Sequence, residues 1–412
     1  MGRVAAPRVR RVPIAAWLAL FLVATAGGCL GPNSIRQTRH RYNEVIQRTN
    51  QEELLLNLVR LRYNEHPSFL PVSGLNAQFE ATAGGDFRGG VERSGVDSFG
   101  TGQLRFADRP TVTFAPQRSP ELTRALLTQV DLDTLYLFSK EGWGPDRVVR
   151  LFVRTINGID NASSGGGPIP PDPPEFAEFR TVSDLLASLE ARRVAIMTTE
   201  NRSADVADIV PVAAIGAQDA VALKKEGLGV RSLGPDRGYQ LTHARPVKIV
   251  QIEPGSTNSP DVLGLVQILG LPPYRAAYDV EEAPQGQVRH GPGPHEKFTF
   301  TTRSILEVMY LLSKTVAVPE EHVLEGLAPI TRNADGTPFN WCMVTGDLFR
   351  VCVSKHRPNA AYVSVQYRGY WYSIDDRDAA TKVTLNLFNE LLRLQKSGIA
   401  EGQPVLTLPV GP

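Results

Sequence analysis

The densest group of carboxylates in the sequence is formed by Asp375, Asp376 and Asp378. Paired carboxylates can serve as general acid and base, or they can bind a cation. The same residues lie where a predicted strand ends and the last predicted helix begins, and an aspartate at that place caps free backbone N–H groups and complements the helix dipole. We favour the capping role, with Asp378 and Lys382 as a helical i,i+4 ion pair.

A second group with chemical potential is His290, His295 and Glu296, which places two imidazoles and a carboxylate within a short segment. These are ligand types of a metal site, but the intervening residues are glycine and proline, which favours a solvated loop. The usual sequence signatures of nucleotide binding, zinc proteolysis and serine hydrolysis are missing from the chain. We therefore assign no catalytic, metal-binding or cofactor-binding residue and expect no cofactor.

A third group consists of aromatic residues along a predicted hairpin, namely Tyr367, Tyr370, Trp371 and Tyr372. Aromatic rings exposed on a sheet could bind sugars or peptides. Because successive side chains point to opposite faces of a strand, half of these rings should instead pack beneath the final helix. We favour packing in the core over a ligand platform.

Two cysteines, Cys342 and Cys352, belong to two apolar runs that flank a Gly-Asp turn in residues 341–353, and this pattern predicts a β-hairpin. A three-residue loop would place the cysteines opposite each other. A two-residue loop would place Cys352 opposite Trp341, on the wrong face. We predict a Cys342–Cys352 disulfide that depends on the turn, with a pair of buried thiols as the alternative.

The remaining cysteine, Cys29, follows a three-part leader: a basic stretch (residues 1–13), an apolar run (14–26) and small residues before the cysteine. This is the layout of a secretory signal. Thirteen apolar residues form about 20 Å of helix, too short for the roughly 30 Å hydrocarbon layer. No later stretch is apolar for long enough to span a bilayer. A cleaved signal is therefore favoured over a permanent transmembrane helix.

The residues Ala26-Gly27-Gly28-Cys29 resemble the lipobox of bacterial lipoproteins, in which the cysteine thiol receives diacylglycerol, although Ala26 stands where the pattern prefers Leu. The resemblance implies cleavage before Cys29 and lipid attachment to it. An ordinary cleaved signal with a nearby cysteine is the alternative. Leu30, rather than Asp, follows the cysteine, which favours the outer membrane with the body facing the periplasm.

The composition is that of a globular protein, with 42% hydrophobic and 21% charged residues. Four arginines precede Cys29, so the part after the cut has 40 basic and 43 acidic side chains. This balance argues against a nucleic-acid partner, which requires a basic excess.

Hydrophobic periodicity predicts an α+β protein with a long N-terminal helix at 35–64, a mixed body of helices and antiparallel strands, and a C-terminal helix–two hairpins–helix unit. Strands are predicted between residues 68 and 117, on either side of a long, mobile, glycine-rich loop. The predicted divisions are a signal peptide (1–28), an N-terminal region (29–162), a Pro/Gly linker or loop (163–174), a middle region (175–282), a second Pro/Gly loop (283–295) and a C-terminal unit (296–412).

The start of the long helix is basic, with Arg36, Arg39, Arg41 and Arg48 close to the predicted lipid. A basic segment near an anionic surface adds about 1 kcal/mol of binding per charge. These arginines could orient the body against headgroups or an acidic partner. A solvated helix face with pairs such as Arg48–Glu52 is the alternative.

Three segments, residues 52–63 with 67–70, 302–306 with 318–319, and 370–378, together resemble a family of bacterial lipoproteins of unassigned function. Their sequences include Glu-Glu-Leu-Leu-Leu-Asn-Leu-Val-Arg-Leu-Arg-Tyr, Thr-Arg-Ser-Ile-Leu and Tyr-Trp-Tyr-Ser-Ile-Asp-Asp-Arg-Asp. The resemblance implies a membrane-anchored envelope lipoprotein and transfers no catalytic residue.

From these patterns we expect a non-enzymatic protein, anchored to the membrane by lipid, that binds other envelope components, with an envelope protein as the candidate partner. A periplasmic hydrolase with a site assembled from distant residues is the alternative. A deep pocket with two carboxylates or a His–carboxylate pair would favour the enzyme, and a broad apolar surface patch would favour the binding protein.

Overall fold

A computed structural model describes residues 30–69, 72–92, 95–114, 120–205, 209, 217–225, 227–234, 237–283, 294–397 and 406–409. The chain divides into two compact units. Unit 1 comprises Met1–Leu54, Leu70–Pro116 and Pro404–Pro412, and unit 2 comprises Leu55–Phe69 and Gln117–Gln403. Cys29 lies outside the described residues, so its lipidation stays a prediction.

Helix α1 (Leu30–Arg62) confirms the long N-terminal helix and is shared between the units at Leu54. Its apolar stripe produces buried residues from Leu54 onward, including Leu55, Leu58 and Val59. Arg41 and Arg48 are exposed, and Arg48 pairs with Glu52 at 3.2 Å as the four-residue spacing predicts. The side chains of Arg36 and Arg39 lie outside the described part.

Unit 1 also contains a long antiparallel pair of strands, β1 (Val72–Glu92) and β2 (Gly95–Phe114), and a short strand β13 (Leu406–Pro409) pairs with β2. The glycine-rich loop predicted here is wrong, because the ladder runs without interruption from Gly74 to Glu92. Glycine weakens a strand, but it keeps the N–H and C=O groups that a ladder requires.

The helices described in unit 2 are α2 (Pro120–Leu127), α3 (Leu132–Lys140), α4 (Pro145–Phe152), α5 (Ala177–Ala191), α6 (Ala217–Lys225), α7 (Pro260–Ile268), α8 (Ile305–Ser313), α9 (Glu320–Leu324), α10 (Cys342–Thr345) and α11 (Ala379–Ser397). Several begin where the sequence indicates. Ser259 caps α7 and Ser304 forms a capping box with Glu307 at the start of α8.

The strands of unit 2 form two sheets: β3 (Val153–Ile156), β4 (Ile159–Asp160), β5 (Ala195–Asp205), β6 (Leu228–Ser232), β7 (Tyr239–Ile252), β8 (Ala277–Glu282) and β9 (Phe298–Thr302) in one, and β10 (Cys352–Ser354), β11 (Ala361–Tyr367) and β12 (Tyr370–Asp375) in the other. The larger sheet has the order β4-β3-β9-β8-β7-β5, with β6 also pairing with β7. Only β8 and β9 are parallel neighbours within the described strands. The protein is therefore α+β, as predicted.

The hairpin predicted for residues 341–353 is wrong. Cys342 starts the short helix α10, and the amide of Gly346 donates to the carbonyl of Cys342. Cys352 starts β10, which pairs with β12 instead. Both cysteines are exposed, free thiols, so the structure does not contain the predicted disulfide. Short apolar runs fit helix and strand periodicity equally well, which explains the error. The second hairpin, β11 with β12, is confirmed.

The segment 163–174, predicted as a Pro/Gly linker or loop, is a loop that contacts the rest of unit 2. It begins as a 3₁₀ turn (Ser163–Gly166), and its later residues form hydrogen bonds with residues 331–332. The hydroxyl of Thr331 donates to the carbonyl of Pro170 at 2.8 Å, and the amide of Arg332 donates to that of Pro171 at 3.1 Å. Of the second Pro/Gly loop, residues 284–293 lie outside the described part.

Candidate functional site

Unit 2 contains a cavity of about 320 Å³ that we call the basic cavity. This volume lies at the lower end of the range for small-molecule sites. The residues around it are Arg62, Ile169, Lys314, Thr315, Val316, Ala317, Val318, Ile330, Thr331, Pro338, Phe339, Asn340, Trp341, Cys342, Arg350, Val351 and Cys352. The wall therefore combines three cations with a mainly apolar surface and includes no Asp, Glu or His.

Arg62 enters the basic cavity from the last turn of α1 and is only 7% exposed. One of its terminal nitrogens, Nη1, donates to the carbonyl of Pro329 at 2.6 Å. Its Nε has no hydrogen-bond partner among the described residues. Burial lowers the pKa of Arg62 to about 10, so the guanidinium still carries its charge at neutral pH.

Lys314 is the C-cap residue of α8 and is 5% exposed. Its Nζ donates to the carbonyl of Gly167 at 2.5 Å and lies 5.4 Å and 5.9 Å from the ring centroids of Tyr310 and Trp341. Burial, and then the nearby positive charge of Arg62, lower the pKa of Lys314 to about 7. The amine is therefore about half protonated near neutral pH.

No carboxylate is among the charges that act appreciably on Arg62 or Lys314 within the described part of the chain. A buried charge is costly unless it is paired and hydrogen-bonded. Carbonyl oxygens supply one partner to each cation but no compensating charge. An anion in the basic cavity would supply that charge, and Arg350 adds a third, exposed cation to its wall.

Tyr63 fixes the end of α1 beside the cavity. Its hydroxyl lies 2.6 Å from His322 Nδ1 on α9 and 2.6 Å from the hydroxyl of Tyr372 on β12. All three residues are buried, and burial together with the bond to Tyr63 raises the pKa of Tyr372. Since one hydroxyl joins three elements, the backbone of the adjacent Arg62 is held in a defined place.

Trp341 anchors the apolar wall. Its indole N–H donates to the hydroxyl of Thr331 at 3.1 Å, and its ring packs edge-on against Phe339. Gly165 approaches so closely that an added Cβ would lie 3.0 Å from both Trp341 and Leu311. These contacts give the wall a fixed shape beside Lys314.

Asp378, the last aspartate of the cluster, has the capping role that the sequence predicts. Asp378 accepts bonds from the amide and hydroxyl of Thr381 at 3.0 and 2.7 Å, which caps α11. The predicted ion pair Asp378–Lys382 is wrong, because Lys382 pairs with Asp376 at 2.8 Å. At a helix N-terminus, the carboxylate that turns onto the backbone is not available to the lysine.

The other predicted groups do not meet at the basic cavity. Tyr372 is fully buried and Tyr367, Tyr370 and Trp371 are partly buried, so the strand does not present them as one exposed face. Glu296 pairs with Arg275 at 2.8 Å. His290 lies outside the described residues.

Two further properties concern the described part of the chain alone. It has no group of three His, Cys, Asp or Glu side chains able to hold a metal ion. It also has no helix both long enough and apolar enough to cross a bilayer.

Sequence reasoning missed the two buried cations of the basic cavity, although the sequence contains a signal for Arg62. That residue follows Leu55, Leu58 and Val59 by seven, four and three positions, so it lies on the apolar stripe of α1. An arginine on a buried stripe needs a partner or a function. Lys314 directly follows the almost wholly apolar helix α8 and could have been noticed on the same ground.

No protein-family model, curated protein or solved structure matches this chain. The chemistry of the basic cavity therefore has to be inferred from its own geometry.

Proposed function

We propose that this protein is a lipid-anchored envelope protein whose body binds a small anionic ligand in the basic cavity. The observation that carries the proposal is the pair of buried cations, Arg62 and Lys314, that have no carboxylate partner among the described residues. A carboxylate or phosphate that bound there would gain charge-assisted hydrogen bonds, which are about twice as strong as neutral ones.

The apolar wall indicates what else the ligand contains. Val318, Ile330, Phe339 and Trp341 offer aliphatic and aromatic surface beside the cations. A purely inorganic anion would leave this surface wet, whereas an aromatic or branched body would bury it at about 25 cal/mol per Å². We therefore propose an organic anion with an apolar body, such as an aryl-substituted carboxylic acid.

Binding is favoured over hydrolysis by the side chains at the cavity. The hydrolase alternative needs a general acid and base near the substrate, for which two carboxylates or a His–carboxylate pair are the usual choice. The wall of the basic cavity contains neither among its described residues. Cations with apolar surface suit retention of an anion.

The membrane part of the proposal is supported by the leader sequence. The short apolar run before Ala-Gly-Gly-Cys29 supports a lipid anchor, and Arg41 and Arg48 are exposed on α1 in the segment that follows it. Arg36 and Arg39 belong to the same basic segment, which we propose contacts anionic headgroups or an acidic protein partner in the envelope. Weaker binding of an Arg36→Glu/Arg39→Glu double variant to anionic vesicles would support this role, and unchanged binding would remove it.

Calorimetric titration of the full chain with phenyllactate tests the ligand site. We expect binding to the wild-type protein and about thirtyfold weaker binding to Arg62→Gln, since a hydrogen bond to a charged group contributes about 2 kcal/mol. Arg332→Gln is the matched control, because Arg332 is exposed and is not part of the cavity wall. Equal affinity of the wild type and a folded Arg62→Gln variant would reject the basic cavity as the site.

A further inference from the structure

We propose that Lys314 acts as a nucleophile that forms an imine with the carbonyl group of a small 2-oxo acid held in the basic cavity. The proposal rests on the anion-binding function proposed above and adds a covalent step to it. The ligand class is thereby narrowed from organic anions to those that carry a ketone or aldehyde next to the anionic group.

The location and burial of the Lys314 amine favour its action as a nucleophile. Lys314 is the only lysine on the wall of the basic cavity within the described residues, and its Nζ is held by the carbonyl of Gly167 at 2.5 Å. An amine must be neutral to attack a carbonyl, and lysine amines become neutral near physiological pH when they are desolvated or lie close to another cation. Both conditions apply here, because the side chain is 5% exposed and the charge of Arg62 opposes protonation.

Arg62 and Lys314 together suit a ligand whose anionic group and carbonyl group are adjacent. In a 2-oxo acid the carboxylate carbon and the ketone carbon are bonded to each other, so a site for this class needs a cation for the carboxylate directly beside the attacking amine. Arg62 is the cation that acts electrostatically on Lys314, and it lies on the wall of the same cavity without a carboxylate partner among the described residues. An anion bound to Arg62 would therefore bring its carbonyl carbon towards Lys314.

The apolar wall of the basic cavity favours the imine over its hydrolysis. Imine formation releases water and is reversed by it, so exclusion of bulk water favours the bound form. Trp341 and Phe339 are fixed by packing and by the bond from Trp341 to Thr331, and they give the side chain of a 2-oxo acid an apolar surface to cover. An aromatic side chain fits this wall better than a charged one.

The reaction is balanced without any other reagent. The lone pair of Nζ forms a C–N bond to the carbonyl carbon, and one proton passes from the nitrogen to the carbonyl oxygen to give a carbinolamine. The C–O bond then breaks, the hydroxyl takes the second nitrogen proton and leaves as water, and the C=N bond remains. Nothing is oxidised or reduced, and hydrolysis returns the amine and the 2-oxo acid.

Reductive trapping on the full chain tests the inference. The protein is incubated with phenylpyruvate and sodium cyanoborohydride at pH 7, which reduces an imine but not the free ketone, and each lysine is mapped by mass spectrometry of its peptides. We expect a secondary-amine adduct at Lys314 that forms at least about tenfold faster than at the exposed Lys355, because the cavity holds the 2-oxo acid beside an amine whose pKa is lowered to about 7. Phenyllactate, which has the same body and anion but no carbonyl, should slow the labelling of Lys314 by competition.

Two variants test the covalent step. Lys314→Arg cannot form an imine and should lose the adduct, whereas Lys355→Arg should keep the labelling of Lys314. If phenyllactate binds the wild-type protein but Lys314 is labelled no faster than Lys355, the imine is wrong and the anion site stands. If phenyllactate does not bind and Lys314 is not labelled, both proposals fail.

Discussion

Replacement of Lys314 by methionine should change how the stability of the protein depends on pH. The ordinary pKa of a lysine is 10.5, whereas burial and the nearby Arg62 lower the pKa of Lys314 to about 7 in the folded protein. Below pH 7 both the folded and the unfolded chain carry the proton. Between pH 7 and 10.5 only the unfolded chain carries it, so the wild-type protein gains stability as the pH rises through this window.

The size of the effect follows from the two pKa values. Each pKa unit corresponds to about 1.36 kcal/mol, so the full difference amounts to about 5 kcal/mol above pH 10.5. Of this, about 3 kcal/mol should be gained between pH 6 and pH 9. The Lys314→Met variant lacks the ionisable group and should therefore be more stable than the wild type at pH 6. Loss of the hydrogen bond to Gly167 reduces this gain in unfolding free energy by about 1 kcal/mol.

Urea unfolding of the full chain, followed by tryptophan fluorescence, measures this difference. Trp341 and Trp371 lie in unit 2 and report on its unfolding. We subtract the unfolding free energy of Lys314→Met from that of the wild type, which removes the contributions of other titrating groups. Lys355→Met is the control for the same exchange at an exposed position. A difference that stays constant from pH 6 to pH 9 would refute the buried, desolvated state of this amine.

Three other changes have expected outcomes. Cys29→Ser should leave the protein uncut or detached from membranes, and normal processing with retention in the membrane fraction would exclude the lipid anchor. Gly165→Ala should destabilise the protein by about 1–3 kcal/mol because the added Cβ would press on Trp341, whereas Gly167→Ala has open space; equal melting temperatures would contradict the close packing. Tyr63→Phe should cost about 1–3 kcal/mol, since it leaves two buried polar groups without their shared hydroxyl, and an unchanged unfolding free energy would show that this network is not stabilising.

The sequence was most informative where a local signal and the hydrophobic period agreed. Ser259-Pro260 marked the start of α7, and Asp378 marked the start of α11, because an N-cap acts on the next three residues and needs no distant partner. The second C-terminal hairpin was found for a similar reason, since β11 and β12 are joined by a short turn with Gly369 at φ 81°.

Prediction failed where tertiary contacts decide the structure. Around Cys342 the apolar runs fit a helix and a strand equally well, and the structure places Val351 beside Val316 instead of returning to residues 341–345. The basic cavity could not be predicted either. Arg62 and Lys314 are far apart in sequence, and tertiary packing alone brings both to the wall of one cavity.

The measurement that tests the anion site most directly is the titration of the Lys314 amine in the full chain, followed by NMR of ¹³C-methylated lysines with and without phenyllactate. Lys314→Arg assigns the signal. We expect a transition near pH 7 in the free protein, because burial and Arg62 lower the pKa of Lys314 to about 7. Phenyllactate should move that transition to higher pH, since a bound anion stabilises the ammonium form. A transition that phenyllactate leaves unchanged at saturating concentration would contradict the claim that Lys314 and Arg62 form an anion-binding site.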